Sequence, residues 1–467
     1  MSKVSQNCQE CQHPDWQRIA VLVDLLLMEE TERLAHETGF VQRRSPISGP
    51  AFANALIWGF LSDPDASYST LQQMLGLQGI QVSAQAIAKR MSEQAAHFLQ
   101  RLCEWLVGRM VETEAVRIAV LARFNGVYLQ DGTVIGLPDV LQREWPGCGG
   151  RTEQGGRAGL QVQLRLDLCT GHLQGPWVQA AHQSEKRGEA TAQATPLPKG
   201  SLYVTDAGMQ SLSQLRWVQE QGIFYLSAAT LRPKLIDTAG RVWELPGLLA
   251  DRGSECLDEP VLLGLQEQVP VRLIALKEPK SARKKPAGHA MRCKGSHQDV
   301  QVGRRAARKR KVKRLKPVVR RRRLVRDWII VLTNVPVERL SATEARELMR
   351  ARWQIELIWK LWKQHGHLDE WRSEKPMRIL CEVFAKLIGL IVVHWLTIVG
   401  CWSDPHRSLV KAARLVRTMA PAFLLAMLGL LTEEAVLGRM GEAMRRCQLN
   451  PRRKHPNTSQ RLLRLSG

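Results

Sequence analysis

Apolar and polar positions along the chain change their period twice. From Trp16 to Leu34 apolar residues recur at helical spacing. Pro46 and Gly49 interrupt, and Ala51 to Leu61 reads as a second, more apolar helix. Ser69 to Leu77, the turn residue Gly79 and Ser83 as an N-cap lead into one periodic run through Ile87, Met91, Phe98, Leu102 and Leu106. That spacing resembles a helix-turn-helix, but any two short helices joined through a glycine produce it, and plain helical packing explains it more simply. Residues 1 to about 118 are therefore expected to be a helical N-terminal region.

From about residue 124 the period falls to two. Gly126 to Asp131 predicts a strand ending in an acid. Leu160 to Leu168 alternates, turns through Cys169-Thr-Gly171, and returns along His172 to Ala180 as a hairpin. Ser201 to Asp206 is a further strand ending in an acid, followed by a helix over Leu212–Gln221 and a short strand over Ile223–Ser227. Residues 231–325 mix short apolar runs with proline, glycine and then dense basic residues, the pattern of a β-rich insertion. Trp328 to Leu332 is again a strand. Ser341-Ala-Thr-Glu344 forms a capping box that opens one long helix through Arg352, Glu356, Lys360 and Lys363, ending near Gly366. The remainder to 447 is helical and apolar, and the basic tail is expected to fray. The expected class is α/β. A core spanning 119–230 and 326–370 is interrupted by the insertion and flanked by helical regions at 1–118 and 371–467.

Composition excludes several classes. Of 467 residues, 44% are hydrophobic, enough for a sizeable core and too many for wholesale disorder. Ten cysteines lie at scattered positions without a disulfide framework, and the first residues lack an apolar signal segment. A reduced, cytoplasmic chain is expected. The most apolar run, Leu387 to Trp402, contains His394 and falls short of the roughly 20 residues that span a bilayer, so it reads as a core helix. Cys8, Cys11 and His13 lack a second ligand pair for zinc.

The net charge of +23 is concentrated. Arg283 to Arg326 holds 19 basic residues and one acid, Asp299, a local charge of +18. Such a block is a polyanion-binding surface or a solvated tract.

Three acids stand out at these elements: Asp131, Asp206 and Glu356. Singly, each has a plain structural explanation: a turn residue, a helix cap, a partner for Lys360 four residues on. Together, acids from two strand ends and one helix in this element order match an RNase H-like mixed sheet. Carboxylates brought together there would need cations between them, and hard divalent ions with oxygen ligands answer that need, Mg²⁺ foremost with Mn²⁺ as substitute.

The helix Arg352-Trp-Gln-Ile-Glu356-Leu-Ile-Trp-Lys-Leu-Trp-Lys363 resembles the Y-(2)-R-(3)-E-(6)-K signature of the IS-four family of bacterial insertion-sequence transposases. Asp131-Gly-Thr with Leu137-Pro138, Asp206-Ala-Gly, and Leu332-Thr-Asn-Val335 are similar to that family's acidic blocks, and the resemblance runs from about residue 40 to 400. It implies that Asp131, Asp206 and Glu356 are the catalytic, metal-binding DDE triad. It implies that Arg352 and Lys363 grip phosphate at the element's end, and that Trp328 stacks on a flipped base; packing as an ordinary strand residue is the other reading of Trp328. The insertion, with Arg320, Arg321, Arg322 and Arg323, would bind DNA. The signature tyrosine falls at Met349, which cannot hydrogen-bond a phosphate. The implied activity is cut-and-paste transposition: cleavage at terminal inverted repeats and 3′-OH transfer to target DNA, by a homodimer holding two ends. The alternatives are an inactive relative that binds DNA without cleaving it and a structure-selective nuclease.

Overall fold

A computed structural model describes residues 14–465, apart from 108, 110, 112, 149–156, 185–187, 208–210, 230–231, 279–324, 326 and 453–454. The chain divides into two compact units, Met1–Tyr225 with Glu347–Gly467, and Leu226–Arg346.

The first unit opens with α1 (Pro14–Asp24), a π-helical turn (Leu25–Glu29) and α2 (Glu30–Glu37). There follow α3 (Gly49–Ser62), α4 (Tyr68–Leu77), α5 (Ala84–Arg90) and α6 (Glu93–Leu106). Serine caps start four of these helices. Ser48, Ser67, Ser83 and Ser92 accept the amides of Ala51, Thr70, Ala86 and Ala95, each cap contributing about 1 kcal/mol. The periodic run from Ser83 is therefore two helices rather than one: the chain breaks at Met91–Ser92, where the Ser92 hydroxyl starts α6.

Four strands, β1 (Val127–Leu137), β2 (Ala158–Asp167), β3 (Leu173–Ala180) and β4 (Leu202–Thr205), lie in the order β3-β2-β1-β4. The first three are antiparallel and β4 runs parallel to β1. The first strand does not end at its acid. It continues through Asp131-Gly132 to Leu137, paired with β2 from Tyr128↔Asp167 to Leu137↔Ala158. A full ladder satisfies the Asp-Gly backbone, so no turn forms there. A helix, α7 (Leu212–Glu220), leads to β5 (Phe224–Ala228), in which the chain passes to the second unit.

The second unit holds β6 (Leu235–Ile236), β7 (Val242–Trp243), α8 (Leu245–Arg252), β8 (Cys256–Leu263), β9 (Val269–Lys277) and β10 (Trp328–Thr333). Its strands follow the order β5-β10-β9-β8-β6-β7, antiparallel throughout. Asp237 fastens the β6–β7 turn, accepting the Arg241 amide at 2.9 Å and the Trp243 indole at 2.9 Å. Apart from Val325, the basic block lies outside the described residues.

The chain returns through α9 (Ala342–Ala351), α10 (Trp353–Gln364), α11 (Pro376–Cys401), α12 (Leu409–Thr418), α13 (Ala420–Met427), α14 (Glu433–Arg445) and α15 (Thr458–Leu463). The capping box forms, with the Ser341 hydroxyl and amide both bound to the Glu344 carboxylate. The expected single long helix is broken at Arg352, where an i,i+3 bond from the Ile355 amide to the Arg352 carbonyl starts α10 afresh. The tail does not simply fray: α15 is closed by an Asn457–Gln460 capping box and buries Leu462. The longest helix among the described residues, α11, is long and apolar enough to cross a bilayer, yet its apolar stretch is 89% buried in the fold against α3, α6 and α12. It carries an internal ion cluster. Lys386 binds Glu382 at 2.8 Å and the carbonyls of His367 and Glu370 at 3.0 and 2.9 Å, anchoring the loop after α10.

Candidate metal and DNA-end site

The first unit brings the sequence's acids to neighbouring elements. Parallel pairing of β1 with β4 matches Val127 with Leu202, Tyr128 with Tyr203 and Leu129 with Val204, an offset of 75 residues. Asp131 and Asp206 have the same offset. Each lies two residues beyond the last paired row, Leu129 with Val204. Asp206 lies just past the end of β4, exposed, with its Oδ1 accepting the Ala207 amide at 2.7 Å.

The third acid comes from α10, which packs against β1 and β2. Its buried stripe, Ile355, Ile358, Trp359 and Trp362, faces inward, with the two indoles edge-to-face at 5.5 Å. Both tryptophans are thus core residues. Glu356 lies off that stripe, half-exposed. Its partner is not Lys360, which is exposed, but Arg352 at the helix break. The same guanidinium reaches across to β1: Nη1 lies 3.9 Å from Asp131 Oδ1, while Nη2 donates to Glu356 Oε1. One arginine therefore bridges two of the three acids, and the arginine and both acids are each less than a third exposed.

Lys363, two turns further along α10, donates to the Val134 carbonyl of β1 at 3.3 Å and lies 3.6 Å from Asp369. Asp369 carries no signal in the sequence; it lies beyond the signature, in the loop after the helix. Met349 is half-exposed on α9. Trp328 is the first residue of β10, half-exposed and opposite Lys277 on β9. Arg320, Arg321, Arg322 and Arg323 lie outside the described residues, as do Cys8, Cys11 and His13.

Among the described residues, no three His, Cys, Asp or Glu side chains are gathered closely enough to hold a metal ion. The chemistry of Asp131, Asp206 and Glu356 suits a hard cation. Their donors are all carboxylate oxygen, and two of the acids already share a positive group between them.

The other face of the same strands holds a buried arginine that the sequence pattern does not single out. Gln130, next to Asp131, is 1% exposed and accepts from Arg165 Nε and from the Tyr203 hydroxyl, while donating to Gln163 at 3.2 Å. Arg165 is fully buried. It donates to Gln174 and the Thr195 carbonyl at 3.0 Å each and to the Ala190 carbonyl at 2.7 Å. Burial lowers its pKa, and the Tyr203 phenol opposes that shift. This layer ties together β1, β2, β3, β4 and the loop entering β4, directly beneath the row that carries the acids.

The structure thus brings Arg352, Asp131 and Glu356 together and sets Lys363 two turns along the same helix as Glu356. Comparison with known proteins gives the class. A family profile described as the transposase DDE domain matches residues 123–392, more than half of the chain, and the protein belongs to that family. It is 25% identical over 379 residues to the transposase for insertion sequence element IS231F of Bacillus thuringiensis subsp. israelensis, spanning 78% of this chain and 76% of that protein. It is 20% identical over 392 residues to the transposase for insertion sequence element IS1151 of Clostridium perfringens, spanning 78% and 77%. The resemblance to insertion-sequence DDE transposases carried by the α10 motif is thereby borne out.

Proposed function

We propose that the protein moves an insertion sequence by cut-and-paste transposition. It would bind terminal inverted repeats, cleave the strand at the element's end with water, and transfer the freed 3′-OH to target DNA. The observation that carries this reading is the site on β1, β4 and α10: Asp131 and Asp206 each follow the last paired row of β1 and β4 by two residues, and Asp131 and Glu356 share one guanidinium. The strand order β3-β2-β1-β4, with an antiparallel hairpin followed by a parallel strand, supports an RNase H-like core.

In this reading Asp131, Asp206 and Glu356 hold the divalent cations, Mg²⁺ or Mn²⁺. Such ions supply an activated water or 3′-hydroxyl and stabilise the leaving oxygen. Arg352 and Lys363 orient the strand by gripping phosphate oxygens, Arg352 through two nitrogens of its planar fork and Lys363 as a point charge. Trp328 stacks on a base beside the cleavage point. Arg320, Arg321, Arg322 and Arg323 add non-specific phosphate contacts, which makes binding steeply salt-dependent. Residues 1–118 contribute to end recognition, and 231–325 is the DNA-binding insertion. Two copies hold two ends in the cytoplasm.

A joining assay tests this. A labelled duplex of one element end, with its 3′-OH exposed, is incubated with protein, Mg²⁺ and a supercoiled plasmid. Label entering the plasmid, and lost in Asp131→Asn or Glu356→Gln with duplex binding retained, is expected. Cleavage without joining would turn the reading towards a nuclease. A retarded duplex without cleavage or joining would turn it towards the binding-only relative and Met349.

A further inference from the structure

Arg352 stands at an unusual point. It is neither inside α9 nor inside α10 but at the break between them, and from there its two terminal nitrogens address two acids on different elements. Its side chain is 18% exposed, against 22% for Asp131 and 30% for Glu356. Water therefore screens the trio only in part, and neighbouring carboxylates without a cation between them would repel. An arginine cannot relieve this by losing its proton, because it stays charged at any relevant pH. The positive charge leaves the acids only if the side chain swings away.

We propose that Arg352 is the site's built-in counter-ion. Without DNA it neutralises Asp131 and Glu356 and competes with the divalent cation for them. A phosphate at the element's end offers the guanidinium a bidentate partner of equal quality. Turning to that phosphate exposes the two carboxylates, so DNA and metal reinforce each other's binding and the free protein keeps its metal affinity low. By linkage the enhancement is the same in both directions. This rests on the proposed function, in which Asp131 and Glu356 take the metal.

The test is Mn²⁺ binding to the full-length protein, followed by the electron paramagnetic resonance signal of the free ion, with and without an end duplex. Arg352→Gln is compared with wild type and with Lys360→Gln, which removes an exposed charge one turn from Glu356. Without DNA, Arg352→Gln is expected to bind Mn²⁺ about tenfold more tightly than wild type, with Lys360→Gln changing affinity less than about twofold. The duplex should tighten Mn²⁺ binding more in wild type than in Arg352→Gln. Arg352→Lys, which keeps the charge but cannot bridge two acids, should fall between them and serves if the glutamine variant does not fold. Unchanged or weaker Mn²⁺ binding in both Arg352 variants, in a protein that does bind the ion, overturns the counter-ion proposal alone. No Mn²⁺ binding in any variant, even with the duplex, overturns the metal reading along with it.

Discussion

Gln130 and Asp131 are neighbours on one strand, and their side chains point to opposite faces of the sheet. Each face holds an arginine, and the two are treated in opposite ways. Arg165, beneath, is fully buried, with a glutamine and two backbone carbonyls taking its Nη hydrogens and the Gln130 amide oxygen its Nε. Arg352, above, is partly exposed and paired with two carboxylates. A buried charge surrounded by fixed dipoles has nowhere else to go, so it locks strands together. A half-exposed charge between acids can exchange partners with a phosphate or a cation. Arg165 is thus built for permanence and Arg352 for exchange.

Removing each arginine separates the two roles. Arg165→Met should cost the largest amount, about 3–5 kcal/mol, because Gln130, Gln174 and two carbonyls lose their donor inside the core. Arg352→Gln should change stability by less than about 1 kcal/mol, since it removes a partly solvated ion pair. Urea unfolding of both variants checks this, and equal losses would erase the distinction between the two arginines.

The closed parts of the first unit also predict a pH response. His394 is buried with Nε2 2.8 Å from the Gly171 carbonyl, and burial pushes its pKa down to about 4. Burial, with His394 nearby, pushes His172 down to about 4 as well. Both are neutral when folded, whereas the unfolded chain takes up protons below about pH 6.5. Stability is therefore full above about 6.5 and falls as pH drops towards 4, by up to about 3 kcal/mol for each histidine. Unfolding at pH 7 and pH 4.5 should show this loss, and His172→Leu should reduce it by about half. A smaller effect belongs to the helix that carries Glu356. Lys363→Gln should weaken end binding several-fold and lower the slope of log affinity against log salt by about one, read by titration at several salt concentrations. An unchanged slope would mean that Lys363 serves only Val134 and Asp369.

The candidate site is partly legible in the sequence, for a geometric reason. Arg352 and Glu356 are four residues apart, and that spacing brings them together whether the helix is continuous or restarts at Arg352. The helix break itself is hidden, because Arg, Trp and Gln do not announce one. The 75-residue spacing of Asp131 and Asp206 is visible in the sequence, but it acquires meaning only once β1 and β4 are known to pair in register. Asp-Gly at 131–132 misleads, since the same dipeptide suits a turn and a fully paired strand. The alternation of Leu160–Leu168 identifies β2, but not that Gln161, Gln163 and Arg165 are buried along with Val162 and Leu164 between them. Periodicity reports which residues share a face, and only tertiary structure reports that a polar face is covered.

The most direct measurement is metal-dependent cleavage at the element boundary. A labelled duplex spanning one end is incubated with wild type or Asp206→Asn, in Mg²⁺ or in EDTA, and binding is followed in parallel by gel retardation. The account predicts a nick at the boundary with wild type in Mg²⁺ only. It predicts a loss of at least about a thousandfold in Asp206→Asn, equivalent to roughly 4 kcal/mol, with binding retained. A nick that survives in the mutant or in EDTA would contradict the assignment of Asp206 and its partners to metal-dependent strand cleavage.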